Sequence, residues 1–129
     1  MTEIPDDVRE LAGRLFDMAR NGDESLVQYI DHGISPDLSN EDGNSLLMLA
    51  AYAGHEGLVA ALIERGADVD KENARRQTPL AGAVFKKYPE VVDRLIAAGA
   101  DVNAGAPSAL ETARYFQLTD MLGRLGAEE

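Results

Sequence analysis

Apolar residues in this chain recur in short paired blocks: Leu26-Val27 with Tyr29-Ile30, Leu58-Val59 with Leu62-Ile63, and Val91-Val92 with Leu95-Ile96. Their spacing is that of a short amphipathic helix carrying one apolar stripe. Each block follows a second small-and-apolar segment: Leu15–Ala19, Leu46–Ala53 and Pro79–Phe85. The predicted unit is therefore a helix, a tight turn, a second helix and a polar extended loop. Upstream, Ile4, Val8, Leu11, Leu15 and Met18 continue one helical stripe, which predicts a capping helix running into the first unit.

The units keep a constant period. Gly66-Ala67-Asp68-Val69-Asp70 recurs 33 residues later as Gly99-Ala100-Asp101-Val102-Asn103, and a weaker copy, Gly33-Ile34-Ser35-Pro36-Asp37, lies 33 residues earlier. Ser108-Ala109-Leu110-Glu111-Thr112-Ala113 follows Thr78-Pro79-Leu80-Ala81-Gly82-Ala83 at an offset of 30, with the missing three residues falling in the loop at Ala104–Pro107. The expected division is one domain over 1–129: a capping helix and first repeat at 1–38, repeats at 39–71 and 72–104, and a truncated capping repeat at 105–129. Punctuation agrees with these bounds. Ser45, Thr78 and Ser108 stand where a hydroxyl caps a helix start, and Pro79 follows at the first helical position. Gly66 and Gly99 stand where a left-handed residue ends the second helix. Asp68 and Asp101 then suit side-chain-to-backbone turns.

These residues resemble ankyrin repeats, whose 33-residue unit carries a T-P-L-H-x-A signature. Thr78-Pro79-Leu80-Ala81-Gly82-Ala83 matches it, as do Gly54-His55 at the turn, Leu58-Val59 with Leu62-Ile63, and Gly66-Ala67-Asp68-Val69-Asp70. The resemblance spans roughly Leu15 to Ala127 and is similar to the small stand-alone ankyrin proteins of bacteria. It implies an all-α solenoid of about four helix-turn-helix repeats with degenerate terminal repeats as caps. Three departures carry expectations of their own. Met48, Ala81 and Glu111 replace the signature His, which implies looser helix starts. Gly82 inside a helix costs ~1 kcal/mol unless close packing requires it. Lys87 replaces the glycine found at Gly54, which predicts a different turn there.

Composition narrows function by exclusion. The chain has no Cys, so thiolate metal sites and cysteine nucleophiles are out, and its net charge of −11 argues against nucleic acid and anionic membranes. The acidic start, Met1 to Asp7, lacks a signal-peptide pattern, and the longest apolar run, Leu46–Ala53, falls far short of the ~20 residues of a membrane helix. A cytoplasmic monomer with no metal and no cofactor is expected. His32 and His55, the two histidines, read as a helix-end cap and a backbone-bonded turn residue. The paired acids Asp6-Asp7, Asp23-Glu24 and Glu41-Asp42 read as caps and solvated loops.

Charge and aromatic placement carry the remaining signal. Positions 1–64 hold three bases and 13 acids, whereas 65–129 hold nine and ten. Arg75, Arg76, Lys86 and Lys87 concentrate positive charge on the third repeat. Tyr52, Phe85 and Tyr115 share one repeat position, two residues after Ala50, Ala83 and Ala113, with Arg20 near its first-repeat end. The resemblance places that position on the concave face, exposed. A protein partner held by Tyr52, Phe85, Tyr115, Arg20, Arg75, Arg76 and Lys86 is one reading. Rings that only cover the core, and bases that are only solvated, is the other, and the sequence leaves both open. The resemblance implies a non-catalytic protein–protein interaction module. An enzyme or small-ligand binder using the same groove is the alternative.

Overall fold

In a computed structural model of the chain, residues 6–127 are described and hold eight helices. They are α1 (Asp6–Asn21), α2 (Leu26–Asp31), α3 (Leu46–Tyr52), α4 (Glu56–Glu64), α5 (Pro79–Lys86), α6 (Pro89–Ala97), α7 (Ala109–Tyr115) and α8 (Thr119–Arg124). The inner helices α1, α3, α5 and α7 pack side by side, and α2, α4, α6 and α8 form a second layer behind them. The fold is an all-helical repeat solenoid. Ile4 of the predicted N-terminal stripe lies outside the described residues, while Leu15 is buried on α1 and Leu11 and Met18 pack partly against the core.

The core is made by residues one period apart. Leu47 and Leu80, Leu58 and Val91, Val59 and Val92, and Leu62 and Leu95 are all buried in one continuous cluster. Full burial of such a side chain contributes about 1.5–3 kcal/mol, and each repeat supplies one wall for the next. Helices of six to nine residues could not stand alone. Tertiary packing stabilises them.

Helix starts are held without the signature His. Ser45 Oγ accepts from the Met48 amide, Thr78 Oγ1 from the Ala81 amide and Ser108 Oγ from the Glu111 amide, each at 3.1 Å. Glu111 completes a reciprocal cap by accepting from the Ser108 amide at 2.8 Å. Met48 and Ala81 are buried apolar residues.

The polar loops form short fingers that stack along one edge. Asn73 donates from Nδ2 to Asn44 Oδ1 at 2.8 Å, and the Ala74 amide donates to the Asp42 carbonyl at 3.0 Å. Across the next pair of fingers the Ala106 amide donates to the Arg76 carbonyl at 3.0 Å. Asp68 and Asp101 accept from the Asp70 and Asn103 amides, as their turn positions predict. In addition, Asp37 and Asp70 accept from the Asp68 and Asp101 amides of the following repeat, at 2.7 and 2.8 Å.

Candidate functional site

Each inner helix ends in the same bonded turn. Gly22, Gly54, Lys87 and Gln117 all have left-handed backbone, with φ of 71°, 81°, 64° and 55°. Their amides donate to the carbonyls of Ala19, Ala51, Val84 and Arg114, and the next amides donate to Met18, Ala50, Ala83 and Ala113. The turn at Lys87 therefore matches the one at Gly54, correcting the expectation that it would differ. At two of these turns the glycine lies against a ring of the next repeat. A Cβ on Gly54 would meet the Tyr88 ring at 3.1 Å, and one on Gly22 would meet the His55 ring at 2.5 Å. After Lys87 the equivalent position holds Leu118 instead of a ring.

This register places Arg20, Tyr52, Phe85 and Tyr115 at one shared position, two residues before each left-handed residue. Their fates differ. Tyr52 is half-buried rather than exposed: its hydroxyl donates to the Thr78 carbonyl at 3.2 Å, and its ring fills the space left by Gly82. An added Cβ at Gly82 would stand 1.7 Å from that ring, so close packing explains a glycine inside α5. Burial pushes the Tyr52 phenol up to about 12. Phe85 and Tyr115, in contrast, are 55% and 80% exposed.

Phe116 joins these two rings. It is 49% exposed, with edge-to-face contacts to Phe85 at 5.5 Å and Tyr115 at 4.9 Å between ring centres. Sequence reasoning missed it because it falls outside the repeat position of the other rings. Its adjacency to Tyr115 at the end of α7 was the available signal. Tyr52, Gly82, Phe85, Lys86, Thr112 and Phe116 line a cleft of about 250 Å³ between α5 and α7.

The predicted cations divide. Lys86 lines the cleft, whereas Arg75 and Arg76 sit at the exposed tip of the third finger, where Arg76 pairs with Glu72 at 3.4 Å. Arg20 is apart from all three: it pairs with Asp17 at 2.9 Å and borders a separate groove with Phe16 and Asp42. His55 places Nε2 2.7 Å from the Arg20 carbonyl, a turn residue bonded to the neighbouring repeat's backbone. His32 places Nδ1 2.7 Å from the Gln28 carbonyl at the end of α2. Among the described residues, no group of His, Asp and Glu side chains converges as a metal cage, and no helix is long and apolar enough to cross a membrane.

Comparison with known proteins agrees with this architecture. A family profile described as ankyrin repeats (three copies) matches residues 15–106. The serine/threonine-protein kinase 12 of Arabidopsis thaliana is 35% identical over 115 residues, covering 87% of this chain and 25% of the kinase. The transient receptor potential cation channel subfamily A member 1 homolog of Caenorhabditis elegans is 36% identical over 81 residues, covering 61% of this chain and 7% of the channel. An ankyrin repeat protein of Pseudomonas aeruginosa is 43% identical over 58 residues, covering 44% of this chain and 34% of that protein. The match thus spans between 7% and 34% of the length of these relatives.

Proposed function

The chain belongs to the ankyrin-repeat family, and on that premise we propose that it is a non-catalytic interaction module binding a protein partner across its concave inner-helix face. Ankyrin repeats are in general protein–protein interaction modules and are typically non-catalytic. The observation that carries the reading is the exposed edge-to-face cluster of Phe85, Phe116 and Tyr115 beside an apolar cleft. Clustered exposed aromatics mark interfaces, because each ring offers a large apolar area at small conformational cost. We place the partner over these rings, with Tyr52 as part of the cleft wall. Lys86 lies at the rim, Arg75 and Arg76 on the finger, and Arg20 at the far end of the same inner-helix row. A net charge of −11 favours a monomer, and the proposed setting is the cytoplasm.

The cleft favours a binding role over the alternative of an enzyme or small-ligand site. At about 250 Å³ it lies just below the range of roughly 300–1,000 Å³ for ligand pockets. Among the described residues its lining includes no carboxylate or imidazole, and the hydroxyls of Tyr52 and Thr112 are both donated to backbone carbonyls. Nothing there is arranged to activate a nucleophile. Affinity capture from an extract of the source organism, followed by mass spectrometry, tests the reading when wild type is run beside Phe85→Ala. The expected result is a partner held by wild type and released faster by the variant, at an unchanged melting temperature. Normal capture by a variant that unfolds more easily would move the site elsewhere.

A further inference from the structure

The third repeat carries cations at positions where its neighbours carry none. At the finger tips the second, third and fourth repeats read Asp42-Gly43, Arg75-Arg76 and Gly105-Ala106. At the inner-helix ends they read Ala53-Gly54, Lys86-Lys87 and Phe116-Gln117. Positive charge therefore stands at both ends of α5 and at neither end of α3 or α7 at these positions. Arg76 and Lys87 hold left-handed backbone, φ 62° and 64°, where the second repeat has Gly43 and Gly54. A side chain is kept at both places although glycine would fit the backbone with less strain. Among the described residues, Arg75, Lys86 and Lys87 form no ion pair.

The cleft lining runs along this repeat from Gln77, next in sequence to Arg76, to Lys86. The eight residues of α5 rise about 12 Å, the span of roughly four residues of extended chain. Resting on the reading that this face binds protein, we propose that its occupant is an extended acidic segment of the partner. One apolar side chain of that segment enters the cleft against Phe85 and Phe116, and carboxylates on either side meet Arg75 and the Lys86-Lys87 pair. Charge complementarity selects this occupant. A few carboxylates match a few cations confined to one repeat, whereas a continuous phosphate backbone would run onto the acidic remainder of a chain at −11.

Fluorescence anisotropy with labelled Gly/Ser peptides tests the assignment on the full chain. One peptide carries a Leu flanked by Asp pairs, a second replaces the Asp residues by Lys, and a third replaces the Leu by Gly. The first should bind about tenfold more tightly than either other, and weaken as salt rises. Combining Arg75→Glu with Lys86→Glu should invert the ranking of the acidic and basic peptides. Lys71→Glu, outside the cleft lining, should preserve it. Absent binding, equal binding of the three peptides, or an unchanged ranking in the reversed variant overturns the proposal. So does tighter binding of a labelled oligo(dT), or self-association that the same reversal abolishes, since these assign the face to nucleic acid or a second copy. The two readings separate cleanly. Partner capture that depends on Phe85 without any acidic preference sinks the occupant alone; capture indifferent to Phe85→Ala moves the site off this face and sinks the occupant with it.

Discussion

The second and third repeats share a scaffold and present different surfaces. Both start the inner helix on a capping hydroxyl, both bury Leu47 and Leu62 or their counterparts Leu80 and Leu95, and both end in a left-handed turn. Yet Tyr52 tucks inward while Phe85, its counterpart, stays out. The cause lies one repeat further on. The ring of Tyr52 faces Gly82, which has no Cβ, whereas the corresponding position on α7 is Thr112, a buried side chain bonded to the Ser108 carbonyl at 2.8 Å. A ring is thus stored or displayed according to a single residue of the following repeat. Surface character in a solenoid is decided between repeats, while the scaffold repeats within each.

The largest effect should come from the shared scaffold. Leu47→Ala and Leu80→Ala, one period apart and both buried, should each cost about 2–5 kcal/mol in chemical denaturation. Similar losses would confirm the equivalence of the two repeats, and a tolerated change at either would break it.

Next comes the residue that separates the two rings. Gly82→Ala should cost about 1–3 kcal/mol by overpacking against Tyr52, and it should drive that ring out of the cleft. Thr112→Gly should open the matching space, and a crystal structure of that variant would show Phe85 moving inward.

The buried phenol supplies a pH test of the same packing. Its folded-state value of about 12 lies above the ordinary 10, so the folded state holds the proton more tightly than the unfolded chain. That stability is fully present below pH 10 and is lost as pH rises from 10 through 12. Tyr52→Phe should remove this alkaline loss, and Gly82→Ala should remove the delayed component from an ultraviolet titration of tyrosine.

Exchanging the turn residues should give effects of opposite sign. Gly54→Lys must enter a left-handed site beneath the Tyr88 ring and should lose about 1–2 kcal/mol, whereas Lys87→Gly should gain ~1 kcal/mol. A loss at Gly54→Lys no larger than the gain at Lys87→Gly would mean that the covering ring adds nothing to the backbone strain. The smallest effects belong to the cations: Arg75→Ala and Lys86→Ala, both on exposed side chains, should leave stability within ~0.5 kcal/mol by thermal melting. A larger loss would make them structural and weaken their role at the rim.

Much of the fold was legible because its determinants are local and repeated. Thr78-Pro79, Gly66 and Asp68 announce a cap, a helix end and a turn through their own backbone preferences, and the 33-residue offset repeats those announcements. The candidate site was legible only in part. Tyr52, Phe85 and Tyr115 were found by periodicity, but periodicity treats them as equal. It could not see that one would be stored, nor that Phe116 would bridge the other two. It also predicted a changed turn at Lys87 from the residue type alone. The bonded geometry persisted because a left-handed lysine is strained without being forbidden.

Helix pairs, their order, the period and the register of the inner-helix ends follow from the amino-acid sequence, because 3.6-residue periodicity, capping and glycine conformations act within a few residues. Burial of Tyr52, the cleft beside Phe85 and the separation of Arg20 from the other cations emerge only when repeats stack. These features depend on contacts between residues about thirty apart, such as the Tyr52 hydroxyl on the Thr78 carbonyl. No local propensity encodes how much space a neighbouring repeat leaves open.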